Sequence, residues 1–166
     1  MDSVTLKKLK EKFSDLILEI IEFRGELTFI IKKEDLIKVC QFLKSDPELK
    51  YNFLSDVCGV DYPEKEKRFE VVYNLYSVPN RWRVRLKVRV REGESVPSVT
   101  SVWSAANWME REVYDMFGVK FENHPDLRRI LMPDDWIGHP LRKDFPLTRE
   151  EITFSYNKDK KPEILE

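Results

Sequence analysis

Cysteine, histidine and glycine are scarce in this sequence, and each shortage excludes a kind of site. The chain has 166 residues with two cysteines, Cys40 and Cys58, and two histidines, His124 and His139. An iron–sulfur cluster generally needs four protein ligands, mostly thiolates. Two cysteines and two histidines at unrelated spacings do not supply that set, so we expect no cluster in this chain. Metal binding by either histidine would need ligands from another chain.

The five glycines form no G-x-G-x-x-G and no P-loop, so neither NADH nor a flavin has a recognisable phosphate cradle. No apolar run approaches the ~18 residues of a membrane span, and the N-terminus lacks the apolar core of a secretory signal. We therefore expect a soluble chain without its own catalytic centre. Any association with a membrane is expected to come through partner proteins.

What the sequence does contain is enough apolar material for one core. Hydrophobic residues make up 42% of the chain, and its length is that of a single domain. Charged residues make up 36%, yet the formal net charge is −1, so bulk electrostatics favours no polyanionic partner. The two cysteines lie far apart in sequence without a C-x-x-C, which is typical of reduced, buried thiols.

The hydrophobic pattern predicts three helices and five strands. Apolar residues at helical spacing predict helices over residues 5–13 and 35–43, and a third that is capped by Ser98 or Ser101 and ends at Gly118. The predicted strands cover residues 16–23, 27–31, 52–60, 69–77 and 81–91. This order predicts an α+β fold: a two-layer sandwich with a largely antiparallel five-stranded sheet and helices on one face.

After Gly118 the chain is broken by prolines. Pro125, Pro133, Pro140 and Pro146 recur every six to eight residues, which excludes a long helix or a central strand. Apolar residues persist between them, so this segment must lie on a surface, its own domain's or a partner's. We predict a globular domain over residues 1–120 and an extended, Pro-rich C-terminal strap and tail over residues 121–166.

The start of this strap and the helix before it carry a motif with fixed spacing. It reads Glu110-Arg111-Glu112, two residues, Asp115-Met116-Phe117, six residues, His124, three residues, Arg128, and then Ile130-Leu131. The segment GHPLRKDFPL, residues 138–147, follows. About forty residues thus resemble the thirty-kilodalton subunit (the C subunit) of NADH:quinone oxidoreductase, respiratory complex I.

The resemblance implies a role at subunit contacts for the motif residues, and no catalytic, cofactor-binding or metal-binding residue in this chain. The motif and its continuation comprise Glu110, Arg111, Glu112, Asp115, Phe117, His124, Arg128, Arg129, Ile130, Leu131, Gly138, His139, Pro140, Leu141, Arg142, Lys143 and Asp144.

The resemblance also implies where the chain works. It would be a non-catalytic, peripheral-arm subunit that scaffolds the quinone-reducing module of a proton-translocating complex, while electrons pass from NADH through FMN and iron–sulfur clusters in partner subunits to quinone. The implied location is peripheral, on the cytoplasmic face of the cell membrane.

The implied partners are other hydrophilic subunits of the complex. The main one is the forty-nine-kilodalton homologue (the D subunit), a large hydrophilic subunit that builds the quinone pocket and that we name the quinone-pocket subunit. Iron–sulfur subunits would lie adjacent. Membrane-bound hydrogenases and ferredoxin- or F420-linked dehydrogenases use related subunits, which keeps these complexes as alternatives.

The acidic residues of the motif allow two interpretations. Glu112 and Asp115 are three residues apart on a helix and share a face, so an acid–base pair is conceivable. The simpler interpretation is that the motif's carboxylates pair with Arg111 or with the strap arginines Arg128, Arg129 and Arg142, which would fasten the strap to the helix.

Each histidine is expected to serve as a cap or an interface hydrogen bonder. His124 lies in Asn123-His124-Pro125, which resembles a helix start with proline in the first turn. His139 lies between Gly138 and Pro140 in a predicted extended turn.

The last predicted strand has a basic face with two-residue spacing, formed by Arg81, Arg83, Arg85, Lys87, Arg89 and Arg91. Such a row can follow a nucleic-acid backbone, face an acidic partner subunit, or be neutralised by neighbours such as Glu70. Nucleic-acid modules usually add exposed aromatic residues among the bases, whereas Trp82 is predicted on the opposite, apolar face. A nucleic-acid-binding module is therefore kept only as the alternative from another functional class.

The ligand count leads to a direct prediction. The purified chain should be colourless and free of flavin, because it has neither four thiolates nor a phosphate-binding loop. Iron, sulfide and flavin assays on an anaerobic preparation measure this. Stoichiometric iron and sulfide would contradict it.

Overall fold

The five predicted strands form one sheet in the computed structural model, which describes residues 3–146. They are β1 (Ile17–Phe23), β2 (Glu26–Ile31), β3 (Phe53–Asp61), β4 (Phe69–Ser77) and β5 (Trp82–Val90). Their order is β1-β2-β5-β4-β3, with β2 and β5 parallel and the other three pairs antiparallel. The predicted fold class is confirmed. Leu147 of the motif and the tail that follows it lie outside the described residues.

Three helices pack on one face of this sheet. They are α1 (Ser3–Phe13), α2 (Leu36–Ser45) and α3 (Ala106–Phe117). Because side chains alternate along a strand, one face of β2 and β5 presents apolar residues, which join residues of all three helices in a single buried core. Burying each large aliphatic side chain stabilises the fold by about 1.5–3 kcal/mol.

The beginning of α3 differs from the prediction, whereas its end agrees. Neither Ser98 nor Ser101 caps it: the helix begins at Ala106, and the hydroxyl of Ser98 instead donates to the buried carboxylate of Glu110 at 2.6 Å. The residues between Ser98 and Ala106 form tight turns. Gly118 ends the helix as predicted, with φ +77°, and its N–H donates to the carbonyl of Tyr114 at 2.8 Å.

Two short strands were not predicted from the sequence. They are β6 (Ser95–Pro97) and β7 (Lys120–Glu122), which pair in parallel. Three residues are too few to show a hydrophobic period, so only tertiary contact reveals them. The strand β7 lies across the boundary predicted at residue 120, and the division into domain and strap stays a prediction.

A close approach joins the end of α3 to the sheet. A Cβ atom added to Gly59 in β3 would lie 2.5 Å from Cδ2 of Phe117. The aromatic ring of this motif residue therefore occupies the space that any other residue at position 59 would fill. Across residues 3–146, no helix is both long and apolar enough to cross a membrane.

Candidate subunit-contact site at the junction of helix and strap

The described part of the strap lies along α3 of its own domain. From residue 123 to residue 146 it forms turns and bends without helix or strand. The helix holds it through hydrogen bonds to its backbone and to several of its polar side chains.

Asp115 is the centre of this junction. Its buried Oδ2 accepts the backbone N–H groups of Ile130, Leu131 and Met132 at 3.0, 2.8 and 2.9 Å, and its Oδ1 accepts the guanidinium of Arg129 at 2.6 Å. Burial by itself would raise the pKa of Asp115, but these four donors outweigh it and hold the pKa below its ordinary value. A single carboxylate thus folds three successive strap residues around itself.

The partner of this carboxylate extends the junction. Arg129 also donates to the carbonyls of Trp136 and Gly138 at 2.9 and 3.1 Å, which closes the strap into a loop. The ring of His139 donates from Nδ1 to the carbonyl of Asp115 at 2.8 Å. Burial, the largest cause, and the nearby arginines lower the pKa of His139, so the imidazole is neutral at pH 7 and acts as the expected hydrogen bonder.

Arg111 provides a contact that the sequence did not reveal. Its Nε and Nη2 donate to the carbonyls of Arg128 and Arg129, both at 3.1 Å, and its guanidinium lies 5.0 Å from the ring of Trp108. Arginine was expected to find a carboxylate here, but it binds backbone oxygens. Arg111 and Asp115 are four residues apart, so both project from one helical stripe towards the strap.

Two predicted ion pairs are absent from the described residues. Glu112 is exposed and pairs with none of the strap arginines within residues 3–146. Each residue of an α-helix is rotated by about 100° from the one before it, so Glu112 points to solvent whereas Arg111 points to the strap. Arg128 pairs with its neighbour Asp126 at 2.9 Å, and both side chains are exposed. The prediction that carboxylates bind the strap is confirmed for Asp115 and Arg129 and wrong for Glu112 and Arg128.

The end of the described strap is fastened at a second point. Arg142 donates to the carbonyl of Phe117 at 2.6 Å and to Glu92 at 2.6 Å, again without Glu112 or Asp115 as its partner. The N–H of Leu141 donates to the carbonyl of Met116 at 3.1 Å. The position of the Arg142 side chain requires glycine at residue 118, since a Cβ atom there would lie 2.4 Å from Nη2 of Arg142.

The sheet contributes the other half of this second point. Arg68 binds both carboxylate oxygens of Asp61, at 2.7 and 2.9 Å, and both oxygens of Asp144, at 2.7 and 3.0 Å. The backbone N–H of Lys143 donates to Asp61 at 2.8 Å. Arg68 and this N–H hold the pKa of Asp61 below its ordinary value despite burial.

Glu110 faces away from the strap, into the core. Its Oε1 accepts the N–H of Val99 at 2.7 Å and its Oε2 accepts the hydroxyl of Ser98 at 2.6 Å. Burial raises its pKa to about 7, although both hydrogen bonds favour the ionised form. The proposed pairing of Glu110 with an arginine is therefore wrong, and the carboxyl group is half protonated near neutral pH.

His124 lies beside Glu110, with its Nε2 3.9 Å from Oε2, and both side chains are fully buried. It begins no helix, because Asn123 before it has φ +59° and turns the chain. The N–H of Asp126 donates to Nδ1 at 3.1 Å, so the proton is on Nε2, which donates to the carbonyl of Asn107 at 3.0 Å. The histidine therefore joins the beginning of the strap to α3.

The remaining motif residues divide by exposure. Ile130, Gly138 and Pro140 are half-buried at the junction, whereas Leu131 and Leu141 are 56% and 54% exposed. Their role at a subunit contact stays a prediction. In the chain from residue 3 to residue 146, no three or more Cys, His, Asp or Glu side chains are grouped as metal ligands would be. Both cysteines are free thiols, one buried and the other half-buried.

The basic face of β5 is largely neutralised, as one of the three interpretations had it. Glu70, itself buried, accepts Lys87 and Arg89 at 2.9 and 2.8 Å, and Glu26 accepts Arg85 at 2.9 Å. Burial alone would raise the pKa of Glu70, but the two cations lower it. The row of cations is mainly an internal charge network of the sheet.

A sequence profile of the family described as "Respiratory-chain NADH dehydrogenase, 30 Kd subunit" matches residues 29–151 of this chain. The chain is similar to the NADH-quinone oxidoreductase C subunit of Geobacter metallireducens, with 62% identity over 84% of this chain and 86% of the relative. Its identity to the corresponding protein of Roseiflexus sp. is 52%, over 96% of this chain and 93% of the relative.

Two solved structures have a similar fold. A trypsin-resistant fragment of Nqo5 is 34% identical, has a TM-score of 0.65, and matches over 74% of this chain and 99% of the fragment. A chain of the membrane-bound sulfane sulfur reductase, an archaeal respiratory membrane complex, is 27% identical, with a TM-score of 0.68, over 86% of this chain and 84% of that chain.

The junction predicts unequal effects for two carboxylates on one helix. Asp115→Asn should reduce the free energy of unfolding by about 3–5 kcal/mol, because it leaves the guanidinium of Arg129 without a buried counter-charge. Glu112→Gln is the matched control and should change stability by less than about 0.5 kcal/mol. Urea unfolding of the purified chain measures both, and equal effects would contradict the assignment of Asp115 as the anchor.

The buried carboxyl of Glu110 predicts a pH dependence. Its pKa rises from 4.5 in the unfolded chain to about 7 in the folded one, so between these values the folded state holds the extra proton. Stability from this group is therefore complete below about pH 4.5 and falls as the pH rises to about 7, by at most on the order of 3 kcal/mol. Glu110→Gln should remove this decline from unfolding curves measured between pH 4.5 and 8. A decline that persists unchanged in the variant would assign it to other groups.

Proposed function

The chain belongs to the respiratory-chain NADH dehydrogenase 30 Kd subunit family and is a subunit of an oxidoreductase complex of the NADH–quinone type, and we propose that it serves there as a non-catalytic scaffold. Its partners are other subunits of that complex. Within the peripheral arm, the chain would support the quinone-reducing module, while FMN and iron–sulfur clusters in partner subunits carry the electrons from NADH.

The observation that carries this proposal is how the strap is held. The helix α3 binds the strap through backbone groups, with Asp115 accepting N–H groups and Arg111 donating to carbonyls. The anchoring side chains of the strap are polar, such as Arg129 and Arg142, so its apolar side chains can remain outside. Leu131 and Leu141 are exposed, as is Trp108 on α3. We name these three residues the strap surface. Large apolar groups displayed on a pre-organised loop are typical of a protein contact.

We propose the quinone-pocket subunit as the main partner of the strap surface, with iron–sulfur subunits adjacent. This assignment comes from the family, and the exposed leucines and tryptophan support it because permanent interfaces are apolar at their centre. The location would be the cytoplasmic face of the cell membrane, through the complex alone.

A sulfane-sulfur- or hydrogenase-type complex is the second candidate, and the archaeal reductase chain at 27% identity supports it. The relatives at 52% and 62% identity favour the NADH–quinone type. Nucleic-acid binding is not proposed, because three of the six cations of the basic strand face Glu70 and Glu26.

A pull-down from detergent-solubilised membranes, analysed by mass spectrometry, tests the proposed function. The tagged chain should recover the quinone-pocket subunit together with NADH- and FMN-binding subunits. Recovery of a hydrogenase or sulfur-reductase set instead would favour the second candidate. Recovery of the chain alone from membranes that contain the complex would refute the scaffold.

The strap surface gives the mutational prediction. Leu131→Ser with Leu141→Ser should weaken association with the quinone-pocket subunit by about a hundredfold or more, because two buried leucines each contribute about 1.5–3 kcal/mol and about 1.4 kcal/mol corresponds to tenfold. The melting temperature of the isolated chain should not change, since both side chains are exposed in it. Val78→Ser, on the β4–β5 turn and 55% exposed, is the control and should recover the complex normally. If the control and the double variant behave alike, the strap surface is not the contact.

A further inference from the structure

The sheet face opposite the helices has a groove that the strap does not line in its described part, residues 121–146. Its volume is about 470 Å³, and it lies where β2, β3, β4 and β5 come together. Its lining includes the side chains of Phe53, Asn74, Tyr76, Arg83, Arg85 and Glu26.

The groove has aromatic walls in a fixed order. In the sheet register Phe53 lies opposite Tyr76, and Tyr76 lies opposite Arg83, so the three form a row across β3, β4 and β5. Phe53 is 52% exposed, and the guanidinium of Arg83 lies 5.8 Å from the ring centroid of Tyr76. Phenylalanine, tyrosine and arginine are enriched at the centres of protein interfaces.

The two arginines of the groove differ in their charge balance. Arg85 donates to Asn74 at 3.0 Å and to Glu26 at 2.9 Å, so its charge is matched and its side chain is held in place. Arg83 is exposed, and no carboxylate of residues 3–146 lies within ion-pair distance of it. The groove therefore offers one guanidinium without a carboxylate partner among residues 3–146, at the end of the aromatic row and beside Tyr76.

The groove is separate from the strap surface. The strap ends its described course against Asp61, at the opposite end of β3 from Phe53. The length of this strand, about 26 Å, separates these two positions. The groove also lies on the face of the sheet that carries the basic row, whereas α3 and the strap pack on the other face.

We propose that this groove is a second docking surface of the chain, which binds a segment of another subunit of the same complex through a carboxylate flanked by apolar side chains. The carboxylate fits Arg83, whose fork can bind both of its oxygens, and the apolar side chains fit Phe53 and Tyr76. This inference rests on the proposed function, since it needs the chain to be assembled in a complex. It adds a second contact, on the other face, to the one made by the strap.

Photocrosslinking in the intact complex tests the inference. A benzophenone amino acid replaces Phe53, the complex is purified from membranes, and its subunits are identified before illumination. We expect one crosslinked partner subunit, with an Asp or Glu near the crosslinked residue. Arg83→Glu should reduce the crosslinked fraction roughly tenfold and Arg83→Gln by less, because reversal adds repulsion to the lost pair.

Lys67→Glu is the matched control, since it makes the same charge change on an exposed residue beyond the other end of β4, and it should leave the crosslinked fraction unchanged. The docking surface is refuted by a complex of normal composition in which Phe53 crosslinks to no other subunit, to lipid alone or to a second copy of this chain. An effect of Lys67→Glu equal to that of Arg83→Glu would refute it too. If the composition before illumination lacks the partner subunits, the proposed function itself fails, and this inference fails with it.

Discussion

The carboxylate of Asp115 is the interaction on which the described strap depends. A buried carboxylate is unfavourable unless its lone pairs are satisfied, and here three backbone N–H groups and one guanidinium satisfy them. In return, the carboxylate determines the path of a segment whose prolines prevent any regular hydrogen-bonding pattern. A loop of this length without helix or strand is otherwise expected to fluctuate, so this anchor, together with the contacts of Arg111 and Arg142, holds it in one conformation.

Neighbouring groups on α3 therefore perform different tasks. Asp115 and Arg111 face the strap and bind its backbone, whereas Glu110 faces the core and binds the turn after β6. The exposed side chains of Leu131 and Leu141 take no part in this anchoring by polar groups. The cations of the sheet are likewise divided between internal pairing and exposure. The glutamates Glu70 and Glu26 neutralise most of the basic strand, whereas Arg83 faces the groove. Both proposed contact surfaces thus contain exposed side chains that form no ion pair within residues 3–146.

The site was only partly predictable from residue types. The opposite charges of the motif indicated that the strap is fastened to α3, and Arg129 with Asp115 confirms it. Glu112 was an equally reasonable partner by spacing, but helical rotation points it to solvent. Arg111 was missed because a guanidinium can bind carbonyl oxygens as well as carboxylates, and no sequence pattern distinguishes the two. Helix capping at Ser98 failed for a related reason, since a distant carboxylate competes for its hydroxyl.

The sequence by itself determined the elements whose signal is local: the alternating strands, the amphipathic helices, the glycine that ends α3, and the prolines that keep the strap irregular. The sequence also indicated the family, because a motif of fixed spacing can be recognised without knowledge of the contacts that its residues make. The tertiary structure alone decided the short strands β6 and β7, the inward turn of Glu110, the partners of each arginine, and the positions of the residues that form the two proposed surfaces. The physical reason is that periodicity and backbone preference act between neighbours in sequence. Burial and ion pairing instead depend on which distant groups the fold brings to the same place.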